Sequence, residues 1–171
     1  TFENYHENDG LLSNEFNTGA FFPSTSGELF VGGITGFNSF FPEDIKANLI
    51  APKVVITDLL IFNRPLNQEY PELGSVSYLN EINLGYKQNN ITIKFAALHY
   101  TFPKGNMYRV YLEGVDNEEI ELNNIQQINY SNLSPGSYSF KVWACNSDGV
   151  WSKTPSVLRI NIASPYWSTW W

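Results

Sequence analysis

The chain has one cysteine and two histidines among its 171 residues, and each scarcity removes a class of function. A single thiol, Cys145, permits no intrachain disulfide, which excludes a disulfide-stapled mini-domain. Two histidines far apart, His6 and His99, lack the short spacing and companion cysteines of a metal site. Charged residues are only 16%, and the ten Lys and Arg are scattered in a chain of net charge −7. Nucleic-acid binding needs clustered basic residues, so no nucleic-acid partner is expected. No apolar run approaches the roughly 20 residues of a membrane span, and no signal peptide is visible. Apolar residues at three-and-four spacing are also absent over any long segment, so helices contribute little.

What is present is alternation. Hydrophobic residues are 43% and aromatics 16%, enough for a sizeable core. Residues 16–22, 28–32 and 36–41 are short, aromatic and separated by Gly, Ser and Thr, which predicts three small antiparallel strands. A polar stretch between Pro42 and Pro52 marks a composition shift. It gives a first unit at 1–45, a linker at 46–52 and a longer unit at 53–163.

In the second unit residues 53–62 are apolar on both faces. Residues 90–97 put Ile91, Ile93, Phe95 and Ala97 on one face, and residues 107–113 do the same with Tyr108, Val110 and Leu112. The strongest strand, 137–146, aligns Tyr138, Phe140, Val142 and Ala144, and residues 156–162 align Leu158, Ile160 and Ile162. With weaker strands at 82–84, 119–122 and 127–130, the pattern is that of a two-sheet, immunoglobulin-like sandwich. Pro135-Gly136 predicts a corner and Asp148-Gly149 a hairpin turn. Tyr138, just past the corner, is placed to bond its hydroxyl back to nearby backbone.

No catalytic set emerges. Glu119 and Glu121, about 7 Å apart if they share a strand face, read as a solvated surface pair. His99 and Cys145 read as packing residues, the thiol having no base beside it in sequence. Trp143 breaks the pattern. It alternates with Ser139, Lys141 and Cys145 onto the face opposite the core, which makes it a candidate interface residue. The competing reading has it covered by a neighbouring loop or by the first unit.

Several stretches resemble the triple-tyrosine, fibronectin type III-like domain that follows β-propellers in sensor histidine kinases. They are Pro52 with VVITDL at 54–59, Asn90-Ile91-Thr92-Ile93 and Phe95, Tyr108 with Leu112-Glu113-Gly114 and Asp116, and Tyr130. Leu133-Ser134-Pro135-Gly136, Tyr138, Phe140, Val142, Asn146 and Asp148-Gly149-Val150-Trp151 complete the set. Val110 and Glu119 depart from it, standing near positions usually Tyr and Trp. In the first unit Asp9-Gly10-Leu11, Phe16, the run from Gly27 to Gly33, Gly36-Phe37, Phe40 and Pro42 resemble the last propeller blade of that family. The resemblance implies an all-β fragment: a partial blade, then an immunoglobulin/fibronectin III-like sandwich.

It also implies a place in the periplasmic sensor region of an inner-membrane hybrid two-component regulator, whose catalytic part lies outside this chain. On that reading the fragment is non-catalytic, binds no cofactor and pairs with its copy as a homodimer through the sandwich. It relays detection of a ligand, often a glycan product, bound elsewhere. The aromatic tail 164–171, with Trp167, Trp170 and Trp171, would lie at the membrane interface. The rival reading is a stand-alone fibronectin-like adhesion or carbohydrate-binding module; an enzyme is a distant third.

Overall fold

The computed structural model describes residues 5, 7, 10–46, 48–98 and 105–165. The chain folds as two units, Thr1–Asn48 and Leu49–Trp171. The first carries an antiparallel meander of β1 (Phe16–Pro23), β2 (Leu29–Gly33) and β3 (Gly36–Phe40). Phe22 stacks on Phe30, and Phe30 on Phe37, with ring centroids 6.4 and 6.1 Å apart. Phe21, registered against Val31 on the other face, is exposed, as are Phe22 and Phe37.

The second unit is a sandwich of two sheets. Its strands are β4 (Lys53–Ile61), β5 (Arg64–Pro65), β6 (Glu81–Leu84), β7 (Ile91–Leu98), β8 (Met107–Glu113), β9 (Ile120–Asn123), β10 (Gln127–Tyr130), β11 (Gly136–Cys145) and β12 (Ser156–Ile162). One sheet has the order β10-β7-β4-β5, the other β6-β12-β11-β8-β9. Pairing is antiparallel except for β6 against β12. A single turn of helix, α1 (Leu66–Glu69), follows β5, and its Leu66 is fully buried.

Alternation explains most of the core. Tyr108, Val110 and Leu112 from β8, Phe140, Val142 and Ala144 from β11, and Leu158 and Ile160 from β12 all have no exposed surface. They meet Ile91, Ile93 and Phe95 of β7 across the sandwich, with Phe95 tilted on Tyr108 at 5.1 Å. The two-sided apolarity of β4 has a specific cause. Its pairing with β7 skips Thr57, between Ile56↔Phe95 and Asp58↔Lys94. This bulge shifts the inward phase by one residue, so Val54 and Ile56 point in before it and Leu59 and Ile61 after it.

Three tyrosine hydroxyls tie the sandwich together. Tyr108 accepts from the Ala97 amide at 3.1 Å, bridging the sheets. Tyr130 donates to Asp116 Oδ2 at 2.8 Å, and the same oxygen accepts from the Leu112 amide. Tyr138 donates to the Ser134 carbonyl at 2.8 Å, closing the expected corner. Its ring packs beside the β8–β9 turn, where a Cβ on Gly114 would meet it at 3.4 Å, an ordinary contact. Gly114 sits at φ 93°, a conformation that suits glycine.

The Asp148-Gly149 hairpin is a three-residue loop rather than a two-residue turn. Asn146 and Val150 close it, the Gly149 amide bonds Asn146 O at 3.2 Å, and Gly149 takes φ 81°. That is a three-residue hairpin loop with a left-handed glycine at its last position. Asn146 is fully buried and organises the loop, its Oδ1 accepting from the Asp148 and Val150 amides at 3.1 and 2.8 Å. Its Nδ2 donates to Ile50 O at 3.2 Å, fastening the segment before β4 to the end of β11.

Candidate functional site

The outward residues of β8, β9 and β11 converge around Arg109. Strand register sets Arg109 opposite Trp143 on one side and Glu121 on the other. Its guanidinium bonds Glu121 at 2.7 Å and Glu119 at 3.2 Å, and lies 4.4 Å from the Trp151 ring centroid. The hydrogen bond with Glu121, and both carboxylates' charges, hold Arg109 more firmly charged than usual, against the effect of burial. Two positions along β11, Lys141 pairs with Glu113 at 3.1 Å and lies 5.9 Å from the Tyr111 ring. This face is therefore an ordered lattice of ion pairs and rings. Because these side chains are a third or more exposed, each ion pair is worth at most about 1 kcal/mol.

Trp143 lies between the core residues Val142 and Ala144, so it points outward as its alternation predicts, and it is half-buried. Glu119 and Glu121 are on the surface as expected, and both are ligands to the Arg109 guanidinium. Cys145 shares the outward parity of Trp143 yet has no exposed surface. It bridges to Trp151, where the hairpin's return folds over the strand end. Burial pushes its thiol pKa up, opposed in part by the charge of Arg109. His6, His99, Trp167, Trp170 and Trp171 lie outside the described residues. Among the described residues there is no group of His, Cys, Asp and Glu able to hold a metal, and no helix long and apolar enough to cross a membrane.

Sequence reasoning misses Arg109 and its stacking on Trp151. Parity does place Arg109 outward, between Tyr108 and Val110. Its partners, however, come from two distant segments, Glu119 and Glu121 around the start of β9 and Trp151 after the β11 hairpin, which strand pairing and the Cys145–Trp151 bridge bring to it.

Comparison with known proteins gives this architecture a context. Residues 99–163 match the Y_Y_Y domain family. The chain is 30% identical over 170 residues to Histidine kinase P4 of Formosa agariphila, covering 98% of this chain and 12% of that protein. Among solved structures it is similar to the extracellular domain of a protein of B. thetaiotaomicron described as a putative hybrid two component system. Identity there is 26%, the TM-score is 0.75, and the match covers 94% of this chain and 22% of the other. A second such extracellular domain from B. thetaiotaomicron matches at 29% identity and TM-score 0.63, covering 87% of this chain and 20% of that one. The chain thus spans about an eighth of its curated relative and about a fifth of these crystallised domains.

Proposed function

We propose that this chain is a segment of the extracellular domain of a hybrid two-component sensor, and that its sandwich is a non-catalytic relay between a ligand-binding propeller and the membrane. One observation carries this reading: the chain enters and leaves the sandwich at opposite ends. Ile50, just before β4, is bonded to Asn146 at the far end of β11. Ile162, the last residue of β12, pairs with Gly136, the first residue of β11. The ten residues of β11 lie between, roughly 30 Å of continuous strand. A packed sandwich is nearly incompressible over that span, so a displacement at one end is delivered to the other.

In this reading the first unit is the last blade of the propeller, its aromatic faces suited to neighbouring blades. The parent is a histidine kinase anchored in the inner membrane, with the sandwich in the periplasm. The ligand, a glycan product, is bound by the propeller and biases a two-state arrangement of paired sandwiches. The pairing surface is the outer face around Trp143, which supplies an aromatic anchor among ordered charges. The carbohydrate-binding alternative calls for exposed coplanar aromatics. On this face Trp151 lies under Arg109 and Trp143 is half-buried, which favours the relay.

The test is to insert a flexible Gly-Ser segment after Ala163 in the parent receptor. Ligand binding should persist and ligand-dependent phosphorylation should be lost. Undiminished signalling through the flexible insert would refute the relay.

A further inference from the structure

The free strand edges of the sandwich are blunted. β5 is two residues long and ends in Pro65, β10 has four residues, β6 begins on Glu81 and β9 carries Glu121. The part of β4 that extends past β5 carries the bulge at Thr57. Short strands, proline, charge and bulges are the usual defences of an exposed edge, whose unpaired amides and carbonyls otherwise recruit another strand. The meander of the first unit also has two edges, and they differ. β1 is interrupted: its register with β2 shifts between Phe16 and Phe21, Gly19 takes φ 78°, and its last residue, Pro23, has no amide hydrogen. β3, Gly36-Phe37-Asn38-Ser39-Phe40, has no proline, no charge and no bulge.

Strand pairing fixes which backbone groups of β3 are open. The Ser24 amide bonds Glu28 O at 2.8 Å, just past the β1–β2 pairs. Alternation along β2 then aims Glu28, Phe30 and Gly32 at β1, and Leu29, Val31 and Gly33 at β3. Ser39 and Phe37, registered opposite Phe30 and Gly32, therefore turn their N–H and C=O groups away from β2. Among the described residues no backbone hydrogen bond reaches those groups. Phe37 is 64% exposed, so the edge offers an apolar anchor beside its open amides and carbonyls. The described residues after β3 form one short turn, Pro42–Asp44, and no strand before β4.

Resting on the reading of the first unit as a propeller blade, we propose that the open edge of β3 receives a strand from a remote segment of the same parent chain. Propeller blades are four-stranded sheets, and this one has three strands. The chain covers 12% of its histidine kinase relative, so a parent of that length has ample sequence to supply a fourth. The donated segment is extended, matches the five residues of β3, and is apolar on the face that meets the Phe37 ring. Main-chain hydrogen bonds of this kind fasten the last blade to a distant part of the ring. The blade then moves with the propeller when ligand binds.

Hydrogen exchange on the parent's whole extracellular domain, resolved to single amides at 37–40, is the test. Asn38 and Phe40 pair with β2 and serve as the internal standard. Phe37 and Ser39 should exchange as slowly as those two, roughly tenfold or more below the rate of a free edge. S39P removes one outward amide and leaves the bonds to β2 in place. It should speed exchange at Phe37 while Asn38 and Phe40 keep their protection. Fast exchange at Phe37 and Ser39 beside slow exchange at Asn38 and Phe40 would overturn the added strand and leave the relay standing. Fast exchange at all four would show that the meander is not formed, and would overturn the blade reading with it. Protection at Phe37 that survives S39P would mean burial without pairing, and would also overturn the proposal. In the 171-residue chain alone, Phe37 and Ser39 should exchange fast at every concentration. Protection there that rises with concentration would assign the edge to a second copy, and protection independent of concentration would place the fourth strand within residues 1–171; either result overturns the proposal.

Discussion

Replacing Asn146 with alanine should disconnect the segment before β4 from the long strand that spans the sandwich. The side chain is fully buried and makes hydrogen bonds to Asp148 N, Val150 N and Ile50 O at 3.1, 2.8 and 3.2 Å. At about 1 kcal/mol of net stabilisation each, their loss costs about 3 kcal/mol, with the abandoned backbone groups part-buried. For a domain of this size that is a fall in Tm of roughly 10 °C. Asn146→Asp separates the two halves of the effect. It keeps the acceptor for the two loop amides but loses the donor to Ile50 O and sets a carboxylate against that carbonyl. Thermal unfolding by circular dichroism gives the total. Amide exchange at Val150 reports the loop, which should loosen in N146A and hold in N146D. A fall of less than about 0.5 kcal/mol in N146A, below the worth of one such bond, would refute the reasoning, as would identical Val150 exchange in both variants.

Other outcomes follow from the same geometry. Burial first, and Asp116 second, raise the pKa of Tyr130 above its usual value near 10. A raised folded pKa gives stability that is complete below the unfolded value and lost as pH climbs past it. Urea midpoints should therefore decline above about pH 10, and Y130F should flatten that decline. F62N/N63G, which installs the residues the turn between β4 and β5 prefers where Phe62 and Asn63 take φ 47° and 64°, should stabilise the sandwich by about 1 kcal/mol in denaturant melts. E121Q should move stability by less than about 1 kcal/mol, since the ion pair to Arg109 is solvent-exposed; a larger loss would show that the outer lattice is structural.

Much of this sandwich is legible because its strands obey one rule. Along β8 and β12 every second residue is apolar and buried, so parity alone identifies Tyr108, Val110, Leu112, Leu158, Ile160 and Ile162 as core. Parity fails in β4, where the bulge at Thr57 moves the inward set from even to odd positions and leaves a strand that reads as apolar throughout. The hairpin at Phe62-Asn63 is hidden for a related reason, since nothing in a phenylalanine announces a left-handed backbone. Cys145 has outward parity and is buried because the return of the hairpin reaches it at Trp151, a contact local to the fold and absent from the pattern. Alternation also places Trp143 outward, where it is found. It does not reveal the neighbouring Arg109 network, which joins β8, the start of β9 and the hairpin after β11.

The most direct test of the relay is disulfide crosslinking in the membrane-embedded parent, with cysteine at Ser139. That position is on the same outward face of β11 as Trp143. Paired sandwiches predict a crosslinked dimer whose yield changes when ligand occupies the propeller. A receptor that signals normally while position 139 never crosslinks, with or without ligand, would contradict the account.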